Sequence, residues 1–362
     1  MLCSNVGADK TLGPDGFYFN FIKWYWNIFE SDFNNLLANF YRKGQIDKGC
    51  SSSFITLVPK SKDPVGMRDY HPINLIGVIS KAISMDLANR LKKVIGSIIS
   101  ENQTAFLKGR YILDNPLMVN ELTSWIKKCK WVEGVLKSAR SAVLLNGSPT
   151  FEFGCSKGIR RGDQLSPLLF LLVMEALSSI FCKAGLEGIF EGIQRPNNGP
   201  VISHLFYAND ALILGDWDRG NVKNVGRCLR IFYLCSGLKI NLHKSYLYGL
   251  GVDNDDTKDT ANVIGCKYDN TPVSYLGIKV GANTNRIRNW DPVIEIFDKR
   301  LLVWKAKTLS IGGRLTLINY VLESLPIYYF SLYKAPAGII KSLEAKMRKF
   351  LWAGSIDKNK MN

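Results

Sequence analysis

Residues His204 to Leu214, His-Leu-Phe-Tyr-Ala-Asn-Asp-Ala-Leu-Ile-Leu, narrow the possible folds more than any other stretch. Apolar, β-forming residues run up to Asn209-Asp210, and apolar residues run away from it. That pattern reads as a β-hairpin with the polar pair at its tip. A carboxylate on so tight a turn, between apolar walls, is costly to desolvate. A metal ion or a charged substrate would offset that cost. An ordinary turn would use the same residues, because Asn and Asp are common in turns.

A chain of 362 residues has room for roughly two domains. Lys and Arg outnumber Asp and Glu by 47 to 31, a net charge of +16. That excess attracts polyanions, nucleic acid first, with an anionic membrane surface as the rival. The eight cysteines form no C-x-x-C pair and there are only three histidines. A zinc site or a disulfide framework is therefore not expected. Residues 1–10 have neither the basic nor the apolar segment of a signal peptide. The longest apolar stretch, Leu165 to Cys182, contains Glu175 and several serines. It reads as a buried helix rather than a membrane span. A reducing compartment, nuclear or cytoplasmic, is expected.

Along the chain, Phe17 to Tyr41 spaces its aromatic and aliphatic residues as one or two helices would. Ser53 to Lys60 reads as a strand ending at Pro59, followed by a basic loop and a second extended piece, Tyr70 to Ile76. Lys60, Lys62 and Arg68 could close over phosphates or lie in a solvated loop. Ile79 to Ile99 is helical by its period, with Ile83, Leu87 and Leu91 on one face. Ala105 to Arg110 is a basic turn, and Pro116 to Lys130 begins an amphipathic helix that continues to Arg140. Ala142 to Leu145 reads as a strand closed by an Asn146-Gly147 turn. Lys157 to Pro167 is a glycine-containing basic loop. It leads into the helix Leu168–Cys182, with Ser166 as its cap and Pro167 at its first position. Such a loop feeding a helix N-terminus can hold phosphate. Asn221 to Leu234 reads as a helix, Tyr246 to Tyr248 and Tyr275 to Val280 as strands, and the chain from Asp291 as helical with a break at Pro326. Pro196–Pro200 and Asp253–Asp259 are the mild linker candidates.

In order, the chain carries a strand with a basic loop, Gly158-Ile-Arg-Arg-Gly-Asp-Gln-Leu-Ser-Pro167, Phe206-Tyr-Ala-Asn-Asp210, Gly237-Leu-Lys-Ile-Asn with Lys244-Ser245, and Tyr275-Leu-Gly277. This series resembles the reverse transcriptase of plant LINE-type (non-LTR) retrotransposons. The resemblance covers nearly the whole chain and extends through Trp304-Lys305-Ala306 and Leu309 to Thr316. It implies an α+β right-hand polymerase fold of fingers, palm and helical thumb. It also implies RNA-directed DNA synthesis with two Mg²⁺ ions, with RNA template, DNA primer and deoxynucleoside triphosphates as partners. Such ions sit about 4 Å apart and are held by carboxylates. By position, Asp210 would be a metal ligand and catalytic residue, with Asn209 beside it. Lys60 and His71 would face the incoming triphosphate, and Arg160, Arg161 and Gly162 the template and new base pair. Lys244 would sit near the leaving phosphates, and Tyr275, Leu276 and Gly277 would form the primer grip. The implied domains are a helical extension (1–50), a reverse transcriptase domain (51–282, fingers 51–115 and palm 116–282) and a truncated thumb (283–362).

This sequence departs from the family pattern where the chemistry lies. Asn209 stands where the family has a second aspartate, so a neutral oxygen replaces a carboxylate. The aspartate-bearing strand expected between Lys130 and Lys137 is missing at the Lys130–Trp131 junction. Between Asp114 and Asp163 the only carboxylates are Glu121, Glu133 and Glu152. His71 replaces an arginine, Arg161 a glutamine and Gln164 a proline. The expectation is a degenerate copy that keeps much of the hand but polymerises poorly. Its palm would lack the first catalytic strand, leaving a hairpin edge unpaired or forcing a rearranged sheet. Endonuclease and Cys/His-rich segments of relatives are also expected to lie outside this chain.

Overall fold

Ser52–Pro59 and Tyr70–Ile76 form the first two strands, β1 and β2, which pair antiparallel from Ser53↔Ile76 to Pro59↔Tyr70. The loop between them closes on Asp69, whose carboxylate accepts from the Val65 and Gly66 amides. Those two bonds hold the carboxyl below its usual range. The computed structural model describes residues 12–60, 62–100, 102–103, 135, 138–155, 159–194, 199–303 and 309–353. The chain divides into two units, Met1–Ile240 and Asn241–Asn362.

In the first unit, α1 (Phe19–Trp24) and α2 (Trp26–Lys43) precede β1. Both occupy the stretch expected to be helical. After β2, α3 (Val78–Ile98) buries Ile83, Leu87 and Leu91 on one face, as its period predicts. Strand β3 (Arg140–Leu145) pairs parallel with β1, and β4 (Ser148–Pro149) and β5 (Phe153–Gly154) pair antiparallel with β3. Asn146 and Gly147 both have positive φ, the signature of a tight two-residue hairpin turn. Helix α4 (Ser166–Leu186) is followed by β6 (Ile193–Gln194), β7 (Val201–Ile202), β8 (His204–Tyr207), β9 (Asp210–Ile213) and α5 (Arg219–Ser236).

Helix α4 is apolar nearly all round, which suits a helix buried on several sides. It is long and apolar enough, by length and composition, to cross a membrane. Here it is a core helix. Leu168, Leu171 and Leu172 join Phe40 and Ile83 in one cluster. Leu177 and Phe181 join Phe190, Phe206 and Phe232 in another.

In the second unit, β10 (Tyr246–Leu247), α6 (Asn254–Ile264) and β11 (Lys267–Tyr268) form a small βαβ turn with parallel strands. A hairpin of β12 (Val273–Tyr275) and β13 (Ile278–Val280) leads to α7 (Asp291–Val303). Then come α8 (Ile311–Leu317), a π-helical turn (Ile318–Leu322), α9 (Ile327–Leu332) and α10 (Ala337–Ala353). Their core gathers Trp290, Phe297, Leu322, Ile339 and Phe350. Pro326 falls at the expected break.

Four local expectations need correction. Strand β3 starts at Arg140, where the amphipathic helix was expected to run on. Ser166 is not a cap: α4 already includes it, and Asp163 Oδ1 accepts instead from the Leu165 amide. Asp253–Asp259 is the start of α6, favoured by Asp255 and Asp256 in its first turn. Tyr275 to Val280 is two strands, with Leu276 and Gly277 in a positive-φ turn. The expectations for Ala105–Arg110, Pro116–Lys130, the Lys130–Trp131 junction, Lys157-Gly158, Trp304–Ala306 and most of Pro196–Pro200 lie outside the described residues.

Candidate active site

The β8–β9 hairpin turns one residue earlier than its polar pair suggests. Tyr207 pairs with Asp210, so Ala208 and Asn209 form the turn and Asp210 opens β9. Ala208 carries the positive φ, 52°, that a mirror-image turn needs at its first position. His204 and Phe206 point inward, at 0% and 1% exposure, and fix the register because a one-residue slip would expose both. Tyr207, Asn209 and Asp210 are exposed. Asn209 Nδ2 points at Asp210 Oδ1, 3.4 Å away.

Beneath the hairpin lies a buried polar network that the sequence reading did not assemble. His204 Nε2 is 2.8 Å from Ser178 Oγ and 3.1 Å from Asn102 Nδ2, and its Nδ1 is 2.8 Å from Ser203 Oγ. Ser178 Oγ meets Ser100 Oγ, and Ser100 donates both its hydroxyl and its amide to Glu175 Oε2 at 2.9 Å. Burial pushes the His204 imidazole down to about 4. The sequence signal was Glu175 and Ser178 at i and i+3 on an apolar helix.

The residues expected to face the triphosphate and the template come together in part. His71 and Arg161 meet, with Arg161 Nη1 donating to His71 Nδ1 at 2.7 Å. Lys60 is exposed and shares the His71 face of the β1–β2 ribbon, because Val58 lies opposite His71. Arg160 is placed differently from its neighbour. It is 6% exposed, and its guanidinium donates to Asp163 Oδ2 and Ser80 Oγ at 3.2 Å and to the Ser51 carbonyl at 3.4 Å. Its charge is spent inside the protein. A cavity of about 390 Å³ lies beside Arg161, bounded among others by Ile55, Pro72, Asn74, Phe153 and Ile159.

Gly162 lets this loop lie against β2. The Asn74 amide donates to the Arg161 carbonyl at 2.9 Å. Gly162 has φ 102°, and a Cβ there would stand 3.1 Å from the Asn74 carbonyl oxygen. Gly162→Ala is therefore expected to destabilise the first unit by about 1–3 kcal/mol. A denaturant-midpoint comparison checks this.

Lys244, Tyr275, Leu276 and Gly277 belong to the second unit. Lys244 ends a short 3₁₀ turn and is exposed. The Gly277 carbonyl accepts from the Tyr329 hydroxyl at 2.6 Å, which ties the β12–β13 turn to α9.

Two divalent cations need several hard oxygen ligands. Among the described residues no three His, Cys, Asp or Glu side chains gather closely enough to hold a metal ion. The hairpin tip offers one carboxylate, Asp210, with a neutral amide beside it. That donor set does not fit a two-metal site.

A family profile described as reverse transcriptase (RNA-dependent DNA polymerase) matches residues 58–280. The chain is 24% identical over 386 aligned residues to a transposon TX1 uncharacterized 149 kDa protein of Xenopus laevis, covering 96% of this chain and 29% of that protein. It is 43% identical over 67 residues to an uncharacterized mitochondrial protein of Arabidopsis thaliana, covering 18% of this chain and 55% of that one. The chain thus spans less than two thirds of the length of either relative.

Proposed function

The chain belongs to the reverse transcriptase (RNA-dependent DNA polymerase) family, and from that membership we propose a degenerate LINE-type polymerase that grips a primer–template but extends it poorly. The observation that carries this reading is the hairpin tip, where Asp210 stands beside Asn209 with no acidic cluster around it among the described residues. The two-metal chemistry of the family needs more negative oxygen than one carboxylate supplies. In this reading residues 51–115 are fingers, 116–282 a palm lacking its first catalytic strand, 283–362 a thumb and 1–50 a helical extension. The partners are an RNA template, a DNA primer and deoxynucleoside triphosphates, in the nucleus or cytoplasm.

Binding needs none of the missing carboxylates. It rests on the +16 charge and on exposed cations of the fingers, Lys60 and Arg161. Arg160 is dropped from that set because its guanidinium is buried against Asp163. Arg161→Ala is expected to weaken primer–template binding at every sequence and to lower the salt slope by about 1. The test measures binding to an RNA–DNA primer–template at several salt concentrations. Steep salt dependence, with affinity unchanged in Asp210→Asn, supports the reading. Absence of binding at low salt contradicts it.

A further inference from the structure

One edge of strand β8 faces away from β9. Next to a two-residue turn the ladder bonds join Tyr207 to Asp210 and Leu205 to Leu212, so the peptide groups of His204, Phe206 and Ala208 face away from β9. Among the described residues no third strand pairs with this hairpin. The edge is nevertheless occupied by a dipeptide. The Asn102 carbonyl accepts from the Phe206 amide at 2.7 Å, and Gln103 makes an isolated parallel bridge with Phe206. One step along, the Gln103 side chain takes over. Its Oε1 accepts from the Ala208 amide at 3.0 Å and its Nε2 donates to the Ala208 carbonyl at 3.3 Å. A carboxamide has the same donor and acceptor as a peptide group.

We infer that Gln103 is a positioning residue for the Asp210 hairpin, its buried carboxamide standing in for the peptide group of a neighbouring strand. It deepens the reading above and rests on it for the role of Asp210. Ala208 is a non-glycine residue in a left-handed conformation, which persists only when its surroundings hold it there. Gln103 is fully buried and grips both of its polar backbone groups. Asp210 lies two residues on, at the foot of the same turn. Where its carboxylate stands is therefore set from the α3–α4 side of the protein, by a residue far from it in sequence.

The test is amide hydrogen exchange on the full chain, read on peptides spanning 204–214, on α5 and on the β1–β2 ribbon. Gln103→Leu keeps the bulk and loses both bonds. It should raise hairpin exchange about tenfold or more while α5 and the β1–β2 ribbon stay within twofold. Gln103→Glu supplies the rescue, because burial at this 0% exposed position favours the protonated carboxyl, which again has one donor and one acceptor. Its hairpin exchange, relative to wild type at the same pH, should return to about one by pH 5, while Gln103→Leu does not recover. Unchanged hairpin exchange in Gln103→Leu overturns the inference. So does an equal rise across the whole first unit, or a Gln103→Glu chain that matches Gln103→Leu at pH 5. None of these readings depends on polymerisation, so a failure of the functional proposal is seen separately.

Discussion

Asp163→Ala is expected to destabilise the first unit by about 3–5 kcal/mol, the largest effect of any single change considered. Asp163 Oδ2 accepts from Arg160 Nη2 and from Ser84 Oγ, and its Oδ1 accepts from the Leu165 amide where α4 begins. The side chains of Arg160 and Asp163 are 6% and 4% exposed. Among the described residues, removing the carboxylate leaves a buried guanidinium facing the neutral oxygens of Ser80 and Ser51. Breaking such a pair costs more than the pair itself contributes, because the orphaned charge has lost its hydration. Asp163→Asn keeps the shape but only one of the two acceptor oxygens and no charge, so a substantial part of the loss is expected to remain. The double change Arg160→Met with Asp163→Leu removes both charges and should recover most of the stability. Denaturant midpoints of the four chains make the comparison, and an Asp163→Ala chain within about 1 kcal/mol of wild type would contradict the account.

The second large effect is on pH dependence and belongs to His204. Burial holds its imidazole at about 4, against 6.5 for an open histidine. The folded protein therefore keeps His204 neutral, and the unfolded chain takes up the proton first. The stabilisation is complete above pH 6.5, declines as pH falls, and is lost by about pH 4. The interval from 6.5 to about 4 corresponds to about 3 kcal/mol. His204→Gln should flatten the curve between pH 6.5 and 4.5, whatever it costs at pH 7.5. The Asp69 and Glu152 carboxyls, held below their usual range by hydrogen bonds, act at lower pH. Equal slopes in wild type and His204→Gln would remove His204 from the explanation.

The β1–β2 ribbon and α3 were legible because short-range patterns specify them. The β-forming run Phe54–Val58 ending at Pro59 and the extended piece Tyr70–Ile76 mark β1 and β2, and the Ile83–Leu87–Leu91 spacing marks α3. The hairpin was legible as an element but not in register. Asn209-Asp210 is the better turn dipeptide by propensity, yet the turn is Ala208-Asn209. Burying His204 and Phe206 and clasping Ala208 with Gln103 outweigh that propensity. Arg160 and Arg161 are adjacent and chemically alike. What separates them is Ser51, Ser80 and Asp163 around one and His71 beside the other, partners mostly about 80 to 110 residues away in the chain. Gln103 lay in a stretch that gave no strong sequence pattern, and its part emerges only where it meets β8.

The hairpin is tied down on two sides. Its back is bonded to α4 through His204, Ser178 and Glu175, and its outer edge is held by Asn102 and Gln103. Its tip has one carboxylate. The most direct measurement is primer extension by the purified chain at saturating RNA–DNA primer–template and nucleotides with Mg²⁺, with the bound fraction read on the same sample. Salt-sensitive binding with at most weak incorporation above a no-enzyme control is expected. Robust Mg²⁺-dependent extension would contradict it.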